Sequence, residues 1–293
     1  MEKNNLPFDS LCLQGMSTKA LMALGGIQFL QDSDRLSGVD KFLGTSSGAV
    51  VSFFLIIGYT PIEIIICMNQ NNLLNKLSNI NILSLTQCTG GLDWSILHDF
   101  IEKHTYDKTD EYDFTLLELY STFEKEIIIP VFNNSDKKTE YLSRETHPDL
   151  SCLSAIRMSS NLPLVFDRFK YNGCYYIDGG FGNNLPIDLT NSGDIVFAVS
   201  LNKFCERVEP SEEKKYSLFT TIIDILSLSV HINEKNSLKF LTKEEIHIDL
   251  IRIPDILELF EFNISKTKIL DVFSSGYQIT KKYFDEQTSS DED

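Results

Sequence analysis

The sequence predicts an α/β protein whose largely parallel sheet is covered by helices on both faces. Three observations carry that expectation. Apolar runs of strand length alternate with longer stretches of helical periodicity along most of the chain. Two early strands each run into a glycine-bearing turn and then an apolar helix, as in a parallel β-loop-α unit. No linker, repeat or low-complexity segment interrupts this order, so residues 1–285 read as one domain with a motif-bearing core over about 8–201. The remaining residues, 286–293 (EQTSSDED), read as a disordered acidic tail.

Taken in order, Leu11–Leu13 is a short apolar strand, followed by a turn at Gly15 and a helix from Thr18 to Leu30. Val39–Leu43 is the second strand; it runs into GTSSG, and the chain is helical from Gly48. The stretch Ala49–Met68 approaches the length of a membrane span, about 20 apolar residues. Gly58-Tyr59-Thr60-Pro61 divides it, with Thr60 placed to cap and Pro61 to open a new helix. Two buried helices are therefore expected, the second periodic from Pro61 to Leu77, and then a polar loop over 79–91. From Glu126 the segments IIIPVF and TEYLS read as two strands joined by a turn, and Phe169–Ile177 as a hairpin turned by Asn172-Gly173. Ile195–Leu201 and Ile246–Ile253 read as further strands, and Leu218–Val230 and Lys266–Phe284 as helices.

Composition narrows the function. The chain has 293 residues, 42% of them hydrophobic, with 26 Lys+Arg against 42 Asp+Glu and a net charge of −16. A chain this long buries about three quarters of its unfolded surface, so a substantial core is expected. The acidic balance speaks against nucleic acid as a partner and against electrostatic adhesion to anionic lipid, but not against a lipid held by apolar contacts. The cysteines at 12, 67, 88, 152, 174 and 205 form no close pair, and MEKNNLPFDS has no apolar signal region. Reduced thiols in a cytoplasmic compartment are expected. No His/Cys/Asp cluster has metal-ligand spacing and no Asp-rich loop suits calcium, so neither a metal nor another cofactor is expected.

Gly44-Thr45-Ser46-Ser47-Gly48 fits G-x-S-x-G between an apolar strand and an apolar helix. That is the setting of a nucleophile elbow: a sharp turn lifts the serine clear of the sheet, above a helix N-terminus that favours developing negative charge. A serine needs a base. Asp178, in Tyr176-Ile177-Asp178-Gly179-Gly180, closes the hairpin strand and precedes two glycines that allow another backbone to approach. Of the histidines at 98, 104, 147, 231 and 247, only His231 and His247 follow late enough for a Ser-Asp-His order, and neither lies in a motif.

Ser46 and Asp178, with their surroundings, resemble the patatin-like phospholipase family. LGTSSGAVVS is similar to its elbow, and AIRMSSNLPLVFDRFKYNGCYYIDGGFGNNLPID to its run of small residues and proline, its hairpin, D-G-G and N-N-x-P. GYTPIEI resembles the turn after the family's nucleophile helix, and FSSGYQITKKY near the C-terminus is weakly similar as well. The resemblance implies a three-layer sandwich and a Ser–Asp dyad that hydrolyses acyl esters of lipids through an acyl-enzyme, with no histidine. Ser46 is then the nucleophile, Asp178 the proton acceptor, and Gly44, Gly48, Gly179 and Gly180 the motif glycines. The substrate is a lipid or phospholipid ester, met in transient contact with a membrane surface. A carboxylate of ordinary pKa, about 4, is a weak base for an alcohol, so the site must tune it.

The resemblance also implies a glycine-rich oxyanion loop, and here the chain departs from the family. Gln14-Gly15-Met16-Ser17-Thr18-Lys19-Ala20 keeps Gly15 and the basic Lys19, while Met16, Ser17 and Ala20 replace glycines. The backbone N–H groups of Gly15, Met16 and Ser17 are the expected donors, with strain of order 1 kcal/mol wherever Met16 or Ser17 takes a positive φ. Lys19 either helps to position this loop or meets an anionic lipid phosphate, as the resemblance implies, or is a solvated first-turn residue. The altered loop motivates a second reading, a weakened or inactive relative that binds lipid or a protein partner. Arg157 is expected to be structural, Trp94 to lie in the core, and Phe53 to Ile57 to pack beneath the elbow rather than in an acyl pocket.

Overall fold

The structure, a computed structural model, describes residues 8–79, 90–190, 196–202, 246–252 and 262–290, with scattered positions between 228 and 239. Strand β1 (Ser10–Leu13) leads through a 3-10 turn (Ser17–Lys19) into α1 (Ala20–Asp32), and β2 (Lys41–Gly44) leads into α2 (Ser47–Ile56). Then follow α3 (Pro61–Gln70), α4 (Leu73–Leu77), α5 (Ser95–Thr109) and α6 (Leu116–Phe123). Strands β3 (Glu126–Asn133) and β4 (Lys138–Leu142) precede α7 (Cys152–Ser159) and the hairpin β5 (Phe169–Tyr171) and β6 (Cys174–Ile177). Strands β7 (Val196–Asn202) and β8 (Ile246–Arg252) and the long α8 (Lys266–Ser290) complete the described elements.

The sheet order is β5-β6-β3-β2-β1-β7-β8, with β4 paired to β3. Pairs β1–β2, β1–β7, β2–β3 and β7–β8 are parallel, while β4, β5 and β6 form an antiparallel wing on β3. The expected parallel sheet is thus the central part of a mixed one. Side chains of adjacent strand residues leave opposite faces. Leu11, Leu13 and Phe42 enter the main core, whereas Cys12 and Leu43 pack on the other face with Leu185 and Ile187.

Local chemistry sets the element boundaries. Thr60 caps α3 by accepting the Glu63 N–H, and the Glu63 carboxylate accepts the Thr60 N–H in return. The helix does not continue to Leu77, because Asn72 takes a left-handed conformation at φ 49° and separates α3 from α4. Asn172 and Gly173 both have positive φ, 45° and 86°, as the tight hairpin turn requires. No single described helix is long and apolar enough to cross a membrane, and α2 and α3 are bent 114° apart.

Helix α8 reaches Ser290, well into the 286–293 stretch expected to be disordered. It packs against α1 through Phe29, whose ring meets Tyr277 at 5.5 Å and Phe284 at 5.8 Å. At the crossing a Cβ on Gly276 would lie 1.9 Å from the Met22 carbonyl, which explains the glycine in FSSGYQITKKY. Most of the expected helix 218–230, residues 80–89 of the polar loop, Cys88, Cys205 and His231 lie outside the described residues.

Candidate active site

Ser46 stands between the C-terminal end of β2 and the first turn of α2, at φ 54° and ψ −119°. A non-glycine residue held in such a conformation costs about 1–3 kcal/mol and needs support from its surroundings. Part of that support is close backbone packing. A Cβ on Gly48 would lie 2.4 Å from the Leu13 carbonyl oxygen, and one on Gly44 2.6 Å from the Gly48 oxygen. The two motif glycines therefore let β1, the elbow and α2 pack backbone to backbone.

Asp178 directly follows β6, whose Ile177 pairs with Phe132 of β3. Gly179 lies so close to that strand that a Cβ would come within 2.0 Å of the Pro130 oxygen. The Asp178 carboxylate, 7% exposed, accepts the Gly180 N–H on Oδ1 at 2.8 Å and the Ser46 hydroxyl on Oδ2 at 2.6 Å. The two residues, 132 positions apart in sequence, are thus in direct contact through a short charge-assisted hydrogen bond.

The loop after β1 lies alongside. Gly15 donates its N–H to the Asn184 carbonyl at 3.2 Å, and Asn184 Nδ2 donates back to the Gly15 carbonyl at 3.2 Å. The N-N-L-P segment therefore grips the loop. A Cβ on Gly15 would lie 2.6 Å from Asn184 Oδ1, so close approach and not φ calls for glycine there. Met16 has φ −140° and buries its side chain in the core, and its N–H donates to Ser47 Oγ at 3.0 Å. Ser17 takes the positive φ, 46°. Of the three expected donors, Gly15 and Met16 are engaged within the protein, and only the Ser17 N–H carries no hydrogen bond among the described residues. The Ser47 N–H, at the start of α2, is likewise open. Lys19 closes the 3-10 turn by donating its N–H to the Met16 carbonyl at 3.0 Å.

An apolar cavity of about 150 Å³ has Ser46 and Asp178 in its wall. Its walls include Leu24 of α1, Val51 and Phe54 of α2, Met68 of α3, and Leu74 and Leu77 of α4. This corrects one expectation. Phe53, Ile56 and Ile57 are core residues beneath the elbow, but Phe54 also faces the cavity, because α2 presents adjacent residues about 100° apart around its axis. Trp94 is buried and donates its indole N–H to Ser160 Oγ at 3.2 Å. Arg157 pairs with Asp167 at 2.7 Å and stacks over the Trp94 ring, a structural role as expected.

Sequence reasoning missed two residues. Ser159, last in α7, accepts the Ser46 N–H on its hydroxyl oxygen at 2.9 Å. Ser47 holds Met16. Both lay inside quoted motifs, yet nothing in their spacing pointed to a partner. Among the histidines with described side chains, His104 bonds to Asn71, His147 to Thr146, and His98 lies near Asp99; Ser46 has Asp178. Among the described residues no group of His, Cys, Asp and Glu is arranged to hold a metal ion.

The family model for patatin-like phospholipases matches residues 11–190, which include the elbow, the loop after β1 and the Asp178 turn. The chain belongs to the patatin-like phospholipase family. Probable lipid hydrolase 463L of Invertebrate iridescent virus 6 is 33% identical over 188 residues, 62% of this chain and 63% of that relative, so the match spans less than two thirds of its length. Uncharacterized protein R571 of Acanthamoeba polyphaga mimivirus is 24% identical over 250 residues, 84% of this chain and 83% of that one. Among solved structures, VipD from Legionella pneumophila superposes with a TM-score of 0.54 at 15% identity, over 95% of this chain and 67% of that one. This last likeness extends the shared fold beyond the family match, to described elements that follow it.

Proposed function

We propose that this chain is a lipid acyl hydrolase that works through a Ser46–Asp178 dyad and an acyl-enzyme. The observation that carries the reading is the 2.6 Å hydrogen bond from Ser46 Oγ to Asp178 Oδ2 in the wall of an apolar cavity. Family membership supports an ester of a lipid as the substrate.

In this reading the cavity takes the acyl chain and brings the ester carbonyl over Ser46. As Ser46 Oγ attacks the carbonyl carbon, its proton passes to Asp178 Oδ2. The tetrahedral oxyanion meets the open N–H groups of Ser17 and Ser47, at the N-terminal end of α2. Collapse breaks the ester bond, and Asp178 returns the proton to the departing alcohol. A water then gives its proton to Asp178 and attacks the acyl-Ser46 ester; as the acyl–Oγ bond breaks, Asp178 passes that proton to Ser46 Oγ, releasing the fatty acid and the free serine. The Gly180 N–H on Oδ1 holds the carboxylate so that Oδ2 faces the serine.

The test is intact mass after treatment with a fluorophosphonate, with p-nitrophenyl butyrate turnover measured on the same samples. A single adduct and turnover on the wild type, both lost in Ser46→Ala and cut by about 10³-fold or more in Asp178→Asn, are expected. A folded wild type with no adduct and no turnover would sink the hydrolase reading and favour a lipid-binding relative.

A further inference from the structure

The positive-φ turn at Ser46 leaves the serine N–H with no acceptor in its own helix, and a buried donor left without a partner is destabilising. Its partner is the hydroxyl of Ser159, which is 0% exposed and 113 residues away in sequence. Ser159 Oγ accepts the Ser46 N–H at 2.9 Å and donates its own proton to the Pro130 carbonyl at 2.7 Å. The same Pro130 oxygen abuts Gly179, the residue that follows Asp178. A Cβ added to Gly179 would also lie 3.1 Å from Ser159 Oγ, so the hydroxyl sits at the junction of elbow, strand β3 and the Asp178 turn.

One hydroxyl thus ties the backbone of the serine to the strand against which the aspartate turn rests. We propose that Ser159 is a positioning residue for the dyad, whose hydroxyl holds the Ser46 backbone in its turn and so sets the Ser46 Oγ to Asp178 contact. The inference rests on the hydrolase reading above. Ser159 is not among the residues that line the cavity, so its contribution falls on the chemical step and not on substrate binding. Displacements of about 1 Å between reacting groups commonly cost on the order of 10²-fold in rate.

The experiment compares the full-length wild type with Ser159→Ala and Ser159→Cys. Cysteine fills nearly the same space but accepts a hydrogen bond only weakly. Competent sites are titrated with a fluorophosphonate by intact mass, and kcat and KM for p-nitrophenyl butyrate are expressed per titrated site, well below the melting temperature. Per-site kcat is expected to fall about 10- to 100-fold in Ser159→Ala and less in Ser159→Cys, with KM changed by no more than about twofold. A loss that follows only the titrated fraction, with per-site kcat unchanged, would show a purely structural role and overturn the inference. If Ser159→Ala does not fold, Ser159→Cys decides, and a wild-type per-site rate there overturns it equally. A wild type that takes no adduct defeats the hydrolase reading itself, and this inference with it.

Discussion

The Met16 N–H donates to the hydroxyl of Ser47, the residue after the serine, at 3.0 Å. The loop and the elbow are therefore joined by a side chain from the elbow itself. A glycine-rich loop reaches its shape through backbone freedom, whereas this one has a methionine anchored in the core and a serine at φ 46°. The Ser47 hydroxyl supplies the restraint that holds such a loop against the elbow. It also occupies one of the N–H groups that the family pattern would assign to the oxyanion, and under the proposed hydrolase reading leaves that work to Ser17 and Ser47.

Removing that restraint should matter more to the reaction than to the fold. In Ser47→Ala the Met16 N–H loses its acceptor, and kcat for p-nitrophenyl butyrate should fall about 10-fold with KM nearly unchanged. Ser47→Thr, which keeps the oxygen, should restore most of the rate. Equal kcat in wild type and Ser47→Ala would show that the contact does not set the loop.

The cavity predicts chain-length selectivity. Leu74 faces it and is 6% exposed, so Leu74→Trp should fill the acyl space and leave the dyad in place. Turnover of p-nitrophenyl decanoate should drop by about 10-fold or more in kcat/KM, and that of the acetate by no more than about threefold. Parallel losses on both esters would mean that the acyl chain lies elsewhere.

A pH effect on stability should arise at His104, which is 4% exposed in the packing between α3 and α5. Its Nε2 lies 2.9 Å from Asn71 Nδ2, an arrangement that suits a neutral ring accepting the amide proton. Burial, with help from Lys103 and against Asp107, holds its pKa below the ordinary 6.5. The unfolded chain therefore binds more protons as pH falls through about 6.5, so this contribution is complete above that pH and is lost on the way down to the folded pKa. Between about pH 7.5 and 5.5 the melting temperature should fall more steeply in wild type than in His104→Gln. Parallel curves would count against the assignment.

Much of the fold was legible because its signals are local. A capping threonine before proline, an Asn-Gly hairpin and strands of apolar character each act within a few residues, and the start of α3, the β5–β6 turn and β3 formed as read. The break at Asn72 and the helical run to Ser290 were less legible. The first depends on one residue turning left-handed, and the second on apolar contacts with α1. The antiparallel wing was likewise hidden, since the direction of pairing is set by which strands meet and not by their composition.

The sequence by itself singled out Ser46 and Asp178, the pair on which the proposed dyad rests, because an elbow and a D-G-G turn impose residue types at short spacing that close backbone contacts demand. Only the tertiary structure decided what those residues touch. The Ser159 hydroxyl, the Ser47 grip on Met16, the Asn184 clasp on Gly15 and the walls of the cavity all join residues 31 to 169 positions apart, or distinct helices. Periodicity reports which way a side chain faces within its own element. It carries no record of which element lies opposite, and a hydrogen bond between two such elements exists only once the sheet has set their distance.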